Sequence, residues 1–159
     1  MKFTVDRDEL FNALQKVQSV VEKKNTIQIL GNILCTAENG KLSLSGTDLE
    51  VGIKTTLPAK IDQEGKVTLS AKNFTDIVKE LSAGPVNLKK KENDWVEITS
   101  GKSRFNIVSL SADEYPVLPV FEEKSYFEAD RTTLLDMVNK TSFAVSTDAT
   151  RYLMNGVFF

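Results

Sequence analysis

Residues 1–35 and 125–159 align without a gap at an offset of 124, and this repeat constrains the fold more than any other feature. "FTVDRDELF" near the start is echoed by "FEADRTTLL" near the end. Seven positions are identical: Phe3/Phe127, Asp6/Asp130, Arg7/Arg131, Leu10/Leu134, Lys16/Lys140, Val21/Val145 and Thr26/Thr150. Others exchange one apolar side chain for another, as in Leu14/Val138, Ile29/Leu153 and Ile33/Val157. A period of 124 is the size of a domain and far too long for a solenoid. The expectation is one complete unit, residues 1–124, followed by a second unit, residues 125–159, cut short after its opening strand, helix and strand.

The first unit is itself double. "KFTV" alternates as a short strand, Asp6 stands as a helix cap with Glu9 at the capping-box position, and Leu10, Leu14, Val17 and Val21 share one helical face. At an offset of 64 the pattern returns, with "KVTL" as strand, Ser70 as cap, and Phe74, Val78 and Leu81 as the buried face. A hairpin follows each helix, turning at Asn39-Gly40 in the first half and at Asn93-Asp94 in the second. A third strand closes each half, "LEVGIKTTL" and "SRFNIVSL". Each half reads β-α-β-β-β, which predicts two helices on one face of antiparallel sheet, an α+β class. The first half carries ten more residues between helix and hairpin, in "EKKNTIQILGN", and the matching stretch of the second unit is "STDATRYLMNG". Loops on a rigid scaffold often carry function, so these two are the positions to weigh.

Composition excludes more than it proposes. There is no histidine, the usual general base and the commonest metal ligand, and one cysteine builds neither an intramolecular disulfide nor a structural zinc site. "GKS" at 101–103 lacks the phosphate-loop glycine five residues before Gly101, where Val96 stands, and a strand-like "SRFNIV" follows where a helix is needed. Neither catalysis nor a cofactor is expected. No apolar run reaches membrane length, and the lone Cys35 suits a reducing, cytoplasmic setting. Net charge is −2, with 17 basic and 18 acidic groups in residues 1–124 and 3 and 4 in residues 125–159. Any nucleic-acid contact must therefore come from local placement.

The stretches "MKFTVDRDEL", "ILGNIL", "LSLSGTDLEVGI", "SGKSRFNI", "LSADEYPVLP" and "TRYLMNG" resemble, in order and across the whole chain, the bacterial sliding-clamp family, the beta subunits of DNA polymerase III. The resemblance implies a DNA-clamp fold, in which three such domains make a protomer and two protomers close head to tail around duplex DNA. It implies a non-catalytic processivity factor that tethers the replicative polymerase. Double-stranded DNA, the polymerase catalytic subunit and the clamp loader are the implied partners, the proteins binding through short linear peptides.

Residue by residue, the resemblance places Lys23, Lys24, Lys72, Asp148, Tyr152 and Leu153 at DNA. Within this set Asp148 is acidic, and Leu153 stands where an aromatic residue is frequent. Arg151, Tyr152 and Met154 fall on one wall of the partner-peptide groove. Asn73, Arg104, Phe105 and Ile107 fall at the ring's dimer seam, where the strand Ser103–Leu110 is expected to stand here as an unpaired edge. The expected inner face of the first helix carries Asn12, Gln15, Lys16, Ser19 and Lys23; on spacing alone it reads rather as a solvated face, and the resemblance is what turns it towards DNA. The competing classes are a protein-binding adaptor of the same fold that never encircles DNA and a small α+β enzyme, for which no residue spacing is present.

Overall fold

The computed structural model describes residues 1–21, 27–118, 127–148 and 150–159. The chain divides into two compact units, Met1–Leu118 and Pro119–Phe159.

In the first unit the chain runs β1 (Lys2–Asp6), α1 (Arg7–Gln18), β2 (Asn32–Glu38), β3 (Lys41–Thr47), β4 (Gly52–Pro58), β5 (Lys60–Gln63), β6 (Gly65–Ser70), α2 (Ala71–Glu80), β7 (Pro85–Lys90), β8 (Trp95–Ser100) and β9 (Ser103–Leu110). The two expected β-α-β-β-β halves are present, with β5 added between them. Among the described residues the strands form one antiparallel sheet in the order β4-β3-β2-β6-β9-β8-β7-β1-β5.

The opening strands are exchanged between the halves. β1 pairs along its length with β7, Phe3 opposite Leu88, and β6 pairs with β2, Leu69 opposite Ile33. Neither half could therefore bury its sheet alone, and the two fold as one unit. The halves meet at β6 and β9 through only two residue pairs, Thr68 with Leu110 and Leu69 with Ser109. On the far side of β1 the edge is taken by β5, whose Ile61 lies opposite Phe3.

Both helices start where their caps require. The Asp6 carboxylate accepts from the backbone N–H groups of Asp8 and Glu9 at 2.9 and 3.2 Å, and the Ser70 hydroxyl accepts from that of Asn73 at 3.4 Å. Leu10, Leu14 and Val17 of α1 and Phe74 and Val78 of α2 are buried against Phe3, Ile33, Leu42, Leu44, Leu69, Leu88 and Ile98 of the sheet. Fully burying each such side chain contributes roughly 1.5–3 kcal/mol, which makes this helix-on-sheet layer the main source of stability.

Local expectations hold at one hairpin and are corrected at two places. Asn39 and Gly40 have φ of 50° and 71° between the paired Glu38 and Lys41, the two-residue primed turn expected. The second hairpin instead closes by Lys91 N–H donating to Trp95 O at 2.7 Å, leaving a three-residue loop, 92–94, with Asp94 at φ 59°. Two residues are too few there because the left-handed position falls last, as in type I turns followed by a bulge. β4 begins at Gly52 rather than at Leu49: the Asp48 carboxylate captures the N–H groups of Glu50 and Val51, turning the chain before the ladder starts.

In the second unit Asp130 caps α3 (Arg131–Thr141), its carboxylate accepting from the Thr133 N–H at 2.8 Å. The strands expected on either side, before Asp130 and up to Val157, are absent among the described residues. A strand requires a neighbour to complete its ladder, and an isolated segment has none to offer. Leu134, Val138 and Val145, the expected apolar face, are half-buried, and no residue of α3 is fully buried.

Candidate nucleic-acid and partner interfaces

The packing of α1 divides its surface cleanly. Leu10, Ala13, Leu14 and Val17 are buried, while Asn12, Gln15, Lys16 and Ser19 are exposed. On α2, Phe74, Thr75 and Val78 are buried, and Lys72, Asn73, Asp76, Lys79 and Glu80 are exposed. The two outward faces are therefore polar and nearly balanced in charge. Lys72 and Asn73 lie together in the first turn of α2. Lys23 and Lys24 lie outside the described residues.

Arg7 locks the two helices in register. Its Nε donates to the Val78 carbonyl at 3.0 Å, its Nη2 donates to the Lys79 carbonyl, and its guanidinium stands 5.1 Å from the centre of the Phe11 ring. A cation thus satisfies the last carbonyls of α2, the negative end of that helix.

On β9 the side chains alternate. Val96 and Ile98 of β8 are core residues, and their cross-strand partners are Ile107 and Phe105. Phe105 and Ile107 thus share the helix-covered face, as expected, yet Phe105 is 37% exposed. Arg104 falls on the opposite face. The expected free edge is corrected in part: β9 pairs with β8 over Ser103–Val108 and with β6 only at Ser109 and Leu110. β6 meets only the end of β9, so the free ladder on that side is confined to Ser103–Val108 among the described residues.

In the second unit a compact loop gathers the remaining candidates. Ser146 N–H donates to Met154 O and Met154 N–H to Arg151 O, each at 2.8 Å, and Tyr152–Met154 form a short 3-10 turn. The Asp148 carboxylate accepts from the Thr150 hydroxyl at 2.7 Å and its N–H at 2.9 Å, bonds that hold it below its ordinary pKa. It also lies 3.7 Å from Arg151 Nε. These bonds make Asp148 a brace of the loop. Arg151, Tyr152 and Met154 line one shallow hollow together with Leu153. Tyr152 and Leu153 are 76% and 85% exposed.

Two features escaped the sequence. Leu49 has φ 80°, an unusual conformation for a large side chain, held by Leu49 N–H donating to the Thr47 hydroxyl and that hydroxyl donating to Val51 O. Trp95 and Val108 stand opposite each other, both exposed, on the face away from the helices. The alternation of "WVEITS" against "FNIVSL" contained the second signal; nothing local contained the first. Among the described residues no group of three His, Cys, Asp or Glu could hold a metal, and no helix is long and apolar enough to cross a membrane.

The model of the DNA polymerase III beta subunit N-terminal domain matches residues 1–119. The chain belongs to the DNA polymerase III beta subunit family. It is 42% identical to the beta sliding clamp of Caulobacter vibrioides over 160 residues, covering 99% of this chain and 43% of that protein. To the beta sliding clamp of Bacillus subtilis it is 35% identical over 165 residues, covering 99% of this chain and 44% of that protein. It is similar to the solved pol III beta of Caulobacter crescentus with a TM-score of 0.92 at 42% identity, over 98% of this chain and 43% of that one. For the Bacillus subtilis DNA polymerase sliding clamp the TM-score is 0.93 at 35% identity, over 96% and 42%. The fold is thus the clamp fold, and the chain spans less than half the length of the relatives it matches.

Proposed function

We propose that this chain is the first domain of a sliding clamp followed by the opening of its second, and that the full-length protein closes as a homodimeric ring around duplex DNA in the cytoplasm. Such a ring is not an enzyme. It acts by topology: it cannot leave duplex DNA sideways, so a polymerase tied to it stays on its template. The observation that carries this proposal is the pair of polar, nearly charge-balanced helix faces on an otherwise acidic, catalytically bare chain of this family. Contacts to phosphate must be few and independent of sequence, because strong or base-specific binding would pin a ring that has to slide.

Within that function Lys23, Lys24 and Lys72 supply the phosphate contacts, with Tyr152 and Leu153 reaching the duplex from the second domain. Asp148 holds the loop that presents them. Arg151, Tyr152 and Met154 form one wall of the groove for the linear peptides of the polymerase and clamp loader. Phe105 and Ile107, with Arg104 and Asn73 beside them, meet the other protomer along the free part of β9. That α2 packs against β9 supports grouping Asn73 with this seam.

Salt titration of DNA binding tests the contacts. In the full-length clamp, replacing both Lys23 and Lys24 with Ala is expected to flatten the log K against log salt slope by up to ~1.8, at about 0.9 per phosphate contact. An unchanged slope would show that these lysines are merely solvated.

A further inference from the structure

The face of the sheet turned away from the helices carries a feature that neither the DNA contacts nor the peptide groove uses. Trp95 on β8 and Val108 on β9 are direct cross-strand partners, 39% and 56% exposed. An aromatic and a β-branched residue so paired form a small rigid apolar platform. Beside it on the same face, Glu97 lies opposite Lys89 on one side and Asn106 on the other. Lys91 Nζ reaches both Glu97 at 2.7 Å and Asn106 Oδ1 at 3.2 Å. Arg104 and Lys89 add their charge to the same carboxylate, which the Lys91 bond and these cations keep below its ordinary pKa. Lys89, Lys91 and Arg104 thus surround Glu97, and Asp94, which precedes Trp95, is itself paired with Lys90 at 3.7 Å, leaving an excess of positive charge next to an exposed tryptophan on a chain whose net charge is −2.

We propose that Trp95 and Val108, with Lys89, Lys91 and Arg104 beside them, form a docking surface for an acidic peptide segment carrying apolar side chains, presented by a partner protein. The sign of the surrounding charge selects an acidic occupant, and the apolar pair gives that occupant a place to bury side chains. A nucleic-acid backbone would gain nothing from the apolar Val108. Tryptophan and arginine are among the residues in which interface energy concentrates. Arg104 is shared with the proposed dimer seam, whereas the side chains of Trp95, Val108, Lys89 and Lys91 are not, and the test below uses this chain alone, so the surface is tested separately from ring closure.

Trp95 is the chain's only tryptophan, so its emission reports directly on the site. Titration of the chain with a short peptide of alternating Asp and Leu is expected to shift that emission to the blue, saturably and less so at high salt. Lys89→Gln and Val108→Thr, each confirmed folded by circular dichroism, are expected to weaken binding by about tenfold, the usual weight of one good contact. Absence of a shift, an equal response to an alternating Lys and Leu peptide, a stronger response to oligothymidylate, or unchanged binding by both variants would overturn the proposal.

Discussion

Arg7 donates from Nε to the Val78 carbonyl at 3.0 Å, so the residue that opens the first helix closes the second. Its repeat counterpart Arg131 opens α3 in the same sequence context, but its side chain is exposed. The same Asp-Arg pair is therefore a helix start in both units and a helix-to-helix clasp in the first. Arg7→Ala is expected to cost about 1–3 kcal/mol in urea unfolding, since it leaves two end carbonyls of α2 without their charged donor. Arg131→Ala should stay within about 0.5 kcal/mol of the parent, as exposed substitutions do. Equal effects would contradict the clasp.

Gly46 permits the close approach of α1 to β3. A Cβ there would stand 2.6 Å from Val17 Cγ1 and 3.0 Å from the Val17 carbonyl oxygen. The backbone oxygen cannot swing aside, so Gly46→Ala must push helix and strand apart. The expected cost is about 1–3 kcal/mol, read as a lower urea midpoint, and Gly46→Ala/Val17→Ala should recover part of it.

Alkaline pH should destabilise the first unit through two buried groups. Burial pushes the Tyr115 hydroxyl up from its ordinary 10.0 to about 12 and the Cys35 thiol from 9.0 to about 12. In both cases the unfolded chain loses its proton first. Their contribution is complete below the ordinary values and is lost as pH rises through them towards the folded values. Tyr115 also fastens the segment after β9 to the sheet, its hydroxyl lying 3.3 Å from the Asn32 carbonyl and 3.2 Å from that of Ser45. Tyr115→Phe should cost about 1 kcal/mol near neutrality, where the hydrogen bond is lost. Against pH, urea midpoints of Tyr115→Phe and Cys35→Ala should each fall less steeply in the alkaline range than the parent's. Parallel curves would contradict the assignment.

The repeat, both helices of the first unit and their caps, and the turn at Asn39-Gly40 were legible because each is set by neighbours in the chain. β5 was not: "KIDQ" offers one apolar residue, Ile61, and becomes a strand only because the far side of β1 is vacant. The exchange of β1 and β6 between halves was equally hidden, since pairing partners some eighty residues apart, such as Phe3 and Leu88, leave no local trace. The flanking strands of α3 were expected from the repeat but need a sheet that this stretch does not itself supply. Of the candidate interfaces, alternation placed Phe105 and Ile107 on their common face. That Arg104 shares its face of the sheet with Trp95 and Glu97 required the register of β8 with β9. The internal bonding by which Asp148 braces its loop depended on the fold of the Thr150–Met154 turn.

The claim that this family member acts by encirclement is tested most directly by retention on DNA of two topologies. Full-length clamp is loaded on closed circular duplex, the sample is split, one half is linearised with a restriction enzyme, and both are passed over a sizing column. The clamp is expected to remain with the circle and to elute free from the linear form. Equal retention on both forms, or on neither, would contradict encirclement and favour an adaptor that never surrounds DNA.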